Sequence, residues 1–457
     1  METADIVKVA VSAAPYSIDK PYDYLVPEAL AESAAPGVRV MVPFGRGNRE
    51  SEGLILTRSS GPKLPGIKAL RSVLDAAPVL DRAGIDLALW MRSRYFCTMF
   101  EAVRTILPAG LWYGFREVWS LAMPLDAAWE ASRSIPDAGL VLDQLEKNKG
   151  RAEINLLREA LGERVDKPLK AMKKAGILIC EMGAKRKIAD KSHRMVELAV
   201  DAADALALTE PKRRSAPARY EVVCLLATAA EICYYTGASQ RTLKAMEKAG
   251  LIAFSEEEEL RVPEVGEVEP GKPIRLNEEQ ERAFSDIWKR IRSGKPSVTL
   301  LQGVTGSGKT EVYLRLVQET LAMGKTAIVL VPEIVLTPQM MRKFTSYFGN
   351  KVVMLHSSLR MTERYDQWKR IRRGEVEVVL GTRSAIFAPL KNPGLIIMDE
   401  EQEGSYQSEN SPCYHARDIA KYLCARENAA LVLGSATPTV ETAFAAERGI
   451  YQKALLR

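Results

Sequence analysis

Gly303-Val304-Thr305-Gly306-Ser307-Gly308-Lys309-Thr310 is the stretch whose reading decides the fold. It fits G-x-x-x-x-G-K-[ST], the phosphate-binding P-loop. Before it, Ser297-Val298-Thr299-Leu300-Leu301-Gln302 is short, apolar and β-rich, and predicts a buried strand. After it, Glu311 to Val317 continues through Leu321 with helical spacing. Strand, glycine loop and helix together give the pattern its meaning. The glycines let the chain curl around an anion with its N–H groups pointing inward, and the helix N-terminus adds partial positive charge. In that reading Lys309 reaches the β- and γ-phosphates of ATP and Thr310 holds Mg²⁺. The bland alternative is a Gly/Ser-rich turn with a surface lysine, and it leaves the flanking strand and helix unexplained.

Outward from this loop, residues 274–457 alternate apolar strand-like runs with helical runs. The strands are expected at Val298–Leu301, Thr326–Val331, Val352–His356, Val376–Gly381, Leu395–Met398 and Ala430–Gly434. Such βα alternation predicts a parallel sheet covered on both faces, with ligands at the carboxyl ends of its strands. The strand Leu395–Met398 ends in Asp399-Glu400-Glu401-Gln402, some 90 residues after Lys309. Asp399 is the expected Mg²⁺ ligand and Glu400 the general base that polarises the attacking water. Gly434-Ser435-Ala436-Thr437-Pro438 ends a further strand. Its hydroxyls suit a coupling position that senses the γ-phosphate through the acids, and alone they would read as a helix cap. Thr337, Thr382, Arg383 and Ser384 close two more strands and offer donors to a single strand's phosphates. Capping again competes for the hydroxyls, whereas an arginine ending an apolar strand calls for an anionic partner. Gln280, in Leu276-Asn277-Glu278-Glu279-Gln280, has the donor and acceptor needed to read an adenine edge, although its spacing alone is a weak signal.

Upstream, residues 4–60 hold four short strand candidates at Ile6–Val11, Tyr22–Val26, Gly37–Gly45 and Gly53–Leu56, which suggests a small β-barrel. Asp81 to about Leu107 turns helical. Residues 115–262 contain an internal repeat: Leu169-Lys170-Ala171-Met172-Lys173-Lys174-Ala175-Gly176-Ile177-Leu178 returns 74 residues later as Leu243-Lys244-Ala245-Met246-Glu247-Lys248-Ala249-Gly250-Leu251-Ile252. Each copy reads as an amphipathic helix stopped by glycine and followed by a strand. This outlines two winged-helix units. Lys170, Lys173 and Lys174 are either DNA-backbone contacts or a solvated face, and the second copy, with Glu247 near the run Glu256–Glu259, is expected to meet DNA less. Basic runs occur at Lys185-Arg186-Lys187 and Lys212-Arg213-Arg214. Pro263, Gly266, Pro270, Gly271 and Pro273 mark a linker. The expected architecture is multidomain α/β: residues 1–112 a β-rich domain with a helical extension, 113–262 winged-helix, 263–273 linker, and 274–457 a RecA-like P-loop lobe.

The 457 residues carry 64 Lys and Arg against 58 Asp and Glu, net +6, which permits a nucleic-acid partner without requiring one. Six scattered cysteines without a C-x-x-C pair, and three distant histidines, argue against a zinc site and for reduced packing residues in a cytosolic protein. No signal peptide or long apolar run suggests export or membrane insertion.

Taken together, Gly303–Tyr313, Val331-Pro332-Glu333-Ile334, Gly381-Thr382-Arg383-Ser384-Ala385, Asp399-Glu400-Glu401, Tyr414-His415-Ala416-Arg417-Asp418 and Gly434–Pro438 resemble the family of primosomal protein N′ (PriA), the bacterial replication-restart DNA helicases of superfamily 2. Tyr22-Asp23-Tyr24-Leu25 and Gly37–Gly45 are similar to that family's 3′-DNA-end-binding domain. The resemblance implies recognition of stalled forks and D-loops by shape, with Tyr22, Asp23 and Tyr24 lining a pocket for a 3′ end. It implies ATP- and Mg²⁺-dependent 3′→5′ movement on single-stranded DNA, adenine contact by Gln280, and a loop with Tyr406, Tyr414, His415 and Arg417 that links DNA binding to hydrolysis. Forked and single-stranded DNA, primosome proteins and single-stranded-DNA-binding protein are the implied partners, in a bacterial cytoplasm at the nucleoid. Gln402 departs from the family's usual histidine. The family also continues into a second lobe with a cysteine-rich zinc module and an arginine finger, whose residues this sequence does not hold. The chain alone is therefore expected to bind ATP and forked DNA but to hydrolyse ATP poorly. A non-catalytic fork-binding scaffold is the competing reading. A different superfamily 2 translocase, such as a restriction subunit, fits the N-terminal β-module less well.

Overall fold

The computed structural model describes residues 3–62, 65–186, 192–225, 229–258, 260–261 and 268–456. Lys187 of the first basic run, Glu259 of the acidic run and residues 262–267 of the expected linker lie outside the described residues. The chain divides into two compact units, Met1–Lys187 with Val265–Arg457, and Ile188–Glu264. Among the described residues no helix is long and apolar enough to cross a membrane.

The N-terminal strands are β1 (Thr3–Val11), β2 (Tyr22–Leu25), β3 (Arg39–Phe44), β4 (Arg49–Pro62), β5 (Lys68–Ala69) and β6 (Ser72–Val73). They form one curled six-stranded sheet in the order β5-β2-β1-β4-β3-β6. Val7, Val9, Val40, Val42 and Ile55 alternate onto its inner face and fill the core. The helical stretch that follows is two helices, Arg82–Arg94 and Met99–Ile106, the second opened by a capping box of Thr98 and Glu101.

The two repeat copies fold alike, each in its own unit. In the large unit, β7 (Tyr113–Leu121), β8 (Arg151–Glu153) and β9 (Leu178–Arg186) form a three-stranded sheet. The helix Asp166–Lys174 buries Leu169 and Met172 before it. In the small unit, β10 (Ser192–Leu198) pairs with β11 (Ile252–Glu258), and the helix Gln240–Lys248 buries Leu243 and Met246. The stop signal is the same in both. Ile177 N donates to Met172 O at 2.9 Å, and Leu251 N donates to Met246 O at 3.1 Å, around a glycine at positive φ. Before the second copy, one helix ends at Cys224 and the next begins at Ala229.

The P-loop lobe is built on β12 (Ser297–Gly303), β13 (Thr326–Leu330), β14 (Val352–Leu355), β15 (Val378–Gly381), β16 (Pro393–Met398), β17 (Ala430–Ser435) and β18 (Gln452–Leu456). All pair in parallel, in the order β14-β15-β13-β16-β17-β12-β18. Six were expected. The edge strand β18 was missed because Gln452-Lys453-Ala454-Leu455-Leu456 is short and carries charge, yet Ala454 and Leu456 alternate into the core. Parallel pairing puts every strand's carboxyl end on one rim, so each motif that follows a strand comes to the same edge of the lobe. The end of the expected linker is not free chain: Gly271 N donates to Ser346 O at 2.9 Å, and Ile274 and Leu276 pack on the lobe's core.

Candidate nucleotide and DNA site

The loop after β12 turns into the helix Lys309–Ala322 through Gly306 and Gly308, both at φ near +80°. At Gly308 the glycine is required twice over. The left-handed backbone disfavours a Cβ, and a Cβ there would lie 2.1 Å from Gln280 Nε2. Gln280 is held by a reciprocal capping box with Asn277 at the start of the helix Glu278–Arg292, and its Nε2 donates to Ser307 O at 3.2 Å. Val304, Thr305 and Gly306 form the exposed crest of the loop, and Thr310 is half-buried on the first helical turn. Lys309 is buried and donates from Nζ to Gly303 O at 2.9 Å.

The acids after β16 face this loop. Lys309 Nζ lies 3.6 Å from Glu400 Oε1. Asp399, also buried, accepts from the hydroxyl of Tyr313 at 2.8 Å. Burial raises the Asp399 carboxyl above its ordinary range, against the opposing pull of the Tyr313 hydrogen bond. Glu400 sits at φ +45°, a left-handed conformation that costs a non-glycine residue about 1–3 kcal/mol. Backbone bonds on either side hold it there: Asp399 N to Leu330 O at 2.9 Å, and Glu401 N to Gly434 O at 3.0 Å.

From Glu400 a chain of side-chain contacts runs to the next strand. Gln402 Nε2 donates to Glu400 Oε2 at 2.8 Å, Ser435 Oγ donates to Gln402 Oε1 at 2.6 Å, and Thr437 N donates to Ser435 Oγ at 3.0 Å. The Thr437 side chain itself is exposed. Glu401 faces the other way. It is fully buried, takes Thr439 N at 2.7 Å and Arg417 Nη1 at 2.9 Å, and meets the hydroxyls of Thr439 and Thr442.

The loop residues expected to meet DNA are mostly turned inward. Tyr406 is fully buried, its hydroxyl donating to Asp399 O at 2.6 Å. Tyr414 is buried edge-on against Phe387, with the Arg383 guanidinium 5.8 Å from its ring. Arg383 donates to the carbonyls of Ser405 and Gln407, so its partners are backbone oxygens rather than an anion. Arg417 is committed to Glu401, Thr439 and Thr442. These four side chains hold the loop against the acid motif. Thr337 caps the helix Pro338–Phe348, and Thr382 is buried at the end of β15, while Ser384 is exposed. In the N-terminal sheet, Tyr22, Asp23 and Tyr24 lie on β2. Strand alternation turns Tyr22 and Tyr24 to the core, with hydroxyls on Ile18 O and Pro43 O, and leaves Asp23 outside on Lys8 at 2.9 Å.

Sequence reasoning missed three groups. Tyr313 lies one turn beyond Lys309, and that i, i+4 spacing is the signal that could have found it. Glu401 gave no signal separate from its acidic neighbours. Arg39, fully buried beside Asp75 at 2.6 Å and Glu52 at 3.5 Å, gave none, since all three are ordinary surface types.

A bound nucleotide fits what is present. The cradle leaves the buried Ser307 Oγ without a hydrogen-bond partner, a donor aimed at nothing in the protein. The same loop leads into a helix N-terminus and carries Lys309, and Thr310 with Asp399 supplies hard oxygen donors of the kind Mg²⁺ takes.

Residues 8–108 match the 3′DNA-binding domain (3′BD) family, and residues 277–445 match the DEAD/DEAH box helicase family. The replication restart protein PriA of Bacillus subtilis is 34% identical over 464 residues, covering 98% of this chain and 55% of that protein. The protein of the same name from Synechocystis is 33% identical over 92% of this chain and 50% of its own length. The one from Treponema pallidum is 51% identical over 153 residues, covering 34% of this chain and 23% of that protein. The chain thus spans about half the length of the relatives that it matches most fully.

Proposed function

The chain belongs with the PriA family of replication restart helicases, over the half of their length that it spans, and from that premise we propose that it couples ATP to movement on DNA at stalled replication forks. The observation that carries the reading is the junction of Lys309 with Glu400 at 3.6 Å, continued through Gln402 to Ser435. One partly buried network joins the phosphate cradle, the acids and the strand end that follows them.

In the proposed mechanism Lys309 leaves Gly303 O to meet the β- and γ-phosphates of ATP, and the N–H groups of Thr305 to Thr310 surround them. Gln280 stays close enough to the loop to read adenine. Mg²⁺, held by Thr310 and Asp399, supplies charge neutralisation at the phosphates. Glu400 orients the attacking water and takes its proton. Gln402 and Ser435 report the state of that carboxylate to the helix Val440–Glu447 and to the loop that Arg417 fixes. DNA lies along the strand-end rim near Thr337, Thr382 and Ser384 and is moved 3′→5′, and the N-terminal domain holds a 3′ end at a fork or D-loop. Primosome components and single-stranded-DNA-binding protein are proposed partners. A location in the bacterial cytoplasm, at the nucleoid, follows from that task.

Phosphate release with and without single-stranded DNA, compared between wild type and Lys309→Ala, tests the reading. DNA-stimulated release that disappears in the variant supports it. Equal release in both, with fork binding intact, would favour a scaffold that loads other proteins.

A further inference from the structure

Four strand positions from β12, on the same rim, lies a second cavity. Its position beside β14 and β15 puts it roughly 19 Å from the P-loop strand at ordinary strand spacing. It measures about 310 Å³ and is enclosed jointly by the segment 104–112, at the end of the N-terminal domain, and by the P-loop lobe. Trp112, Trp368 and Phe387 give it aromatic walls, while Arg104, Thr105, Arg364 and Ser384 supply the polar groups, and among the described residues no carboxylate lines it. That volume is at the small end of ligand pockets. A second, independent feature points to a ligand. The buried Nε of Arg364 has no hydrogen-bond partner, although its Nη2 serves the carbonyls of His356 and Ser357.

Aromatic walls with two guanidiniums and no opposing acid select a flat ring that carries negative charge. We propose that this cavity is a subsite for one nucleotide unit, its base among the aromatic walls and its phosphate between Arg104 and Arg364, and that the unit belongs to a single DNA strand passing along the rim. The assignment rests on the reading of this lobe as a DNA motor. It adds that a segment of the N-terminal domain forms part of the strand's path, so that the two domains grip one strand together. Base stacking of this type tolerates any sequence, as a fork-acting protein requires.

The test uses the full chain, a fluorescein-labelled fifteen-nucleotide oligo-dT and the variants Arg104→Ala and Met361→Trp, both at exposed positions on the cavity's edge. Each variant is expected to weaken oligonucleotide binding by about tenfold, the loss of one stacked base. Binding of a fluorescent ATP analogue should stay unchanged. An oligonucleotide carrying a single 5-iododeoxyuridine should crosslink to peptides from 104–112 or 361–388. Unchanged oligonucleotide affinity with no such crosslink overturns the proposal. Loss of free dTMP binding without loss of oligonucleotide binding overturns the strand assignment and makes the cavity a mononucleotide site. Failure of the parent reading looks different: there, Lys309→Ala would bind the ATP analogue as well as wild type.

Discussion

The hydroxyl of Tyr313 donates to Oδ1 of Asp399 across 2.8 Å, with both groups buried, and so ties the first turns of the P-loop helix to the end of β16. The carboxylate proposed to hold Mg²⁺ is thereby aimed by the same helix that carries Lys309. Tyr313→Phe removes the donor. Outer-shell partners of this kind are typically worth 10–100-fold in metal affinity. The expected outcome is a loss of at least about tenfold in Mg²⁺ affinity, with metal-free nucleotide binding retained, as read by calorimetry with and without Mg²⁺. Since the lost bond favours the ionised carboxyl, the loss should be greater at pH 6 than at pH 8.

Gly434 makes this arrangement possible. A Cβ on it would lie 1.7 Å from the Tyr313 hydroxyl oxygen and 3.1 Å from Asp399 Oδ1. Gly434→Ala should therefore lower the melting temperature by several degrees, about the effect of an overpacked core. Adding Tyr313→Phe removes the clashing atom and should restore part of the loss. A double-mutant cycle in thermal unfolding measures that coupling, and strict additivity would show that the two residues do not meet.

Gln402 and Ser435 stand between the base and the next strand end, away from the phosphate cradle. Gln402→Ala and Ser435→Ala should leave affinity for the ATP analogue within about twofold, since neither residue contacts the cradle, yet reduce the response of hydrolysis to DNA by about tenfold, the effect of losing one hydrogen bond to a charged group. Steady-state phosphate release at several DNA concentrations separates the two effects.

In the N-terminal domain, burial lifts Glu52 to about 7, although the Arg39 guanidinium opposes the rise. An acid whose folded value lies above its unfolded one is destabilising when ionised. Its contribution to stability is complete below about 4.5 and is lost as pH rises through 7. The domain should melt higher at pH 5 than at pH 8, and Glu52→Gln should flatten that slope. Melting curves across pH check it.

The parts of this fold that were legible are those where local chemistry dictates the backbone. Gly306 and Gly308 announce a phosphate cradle because other residues strain there, and six apolar runs announce a parallel sheet because buried strands carry no polar face. The repeat was legible because helix, glycine stop and strand recur in the same order. What residue type does not give is the partner within the fold. Tyr406, Tyr414, Arg383 and Arg417 each find one through tertiary packing that no spacing encodes: Asp399 O, Phe387, two loop carbonyls and Glu401. The same blindness hid Arg39 with Asp75, whose partners are 36 residues apart. At Tyr22, Asp23 and Tyr24 the strand's period of two sets the two rings on one face and the carboxylate on the other, a division that the residue types alone do not announce.

The central claim is that the glycine cradle and the acids after β16 form a single nucleotide site. Equilibrium binding of a non-hydrolysable ATP analogue, with and without Mg²⁺, to wild type, Lys309→Ala and Asp399→Asn tests it most directly. Lys309→Ala should weaken binding at least about tenfold in both conditions, and Asp399→Asn should erase the gain that Mg²⁺ brings. An undiminished Mg²⁺ gain in Asp399→Asn, or full affinity in Lys309→Ala, would contradict the account.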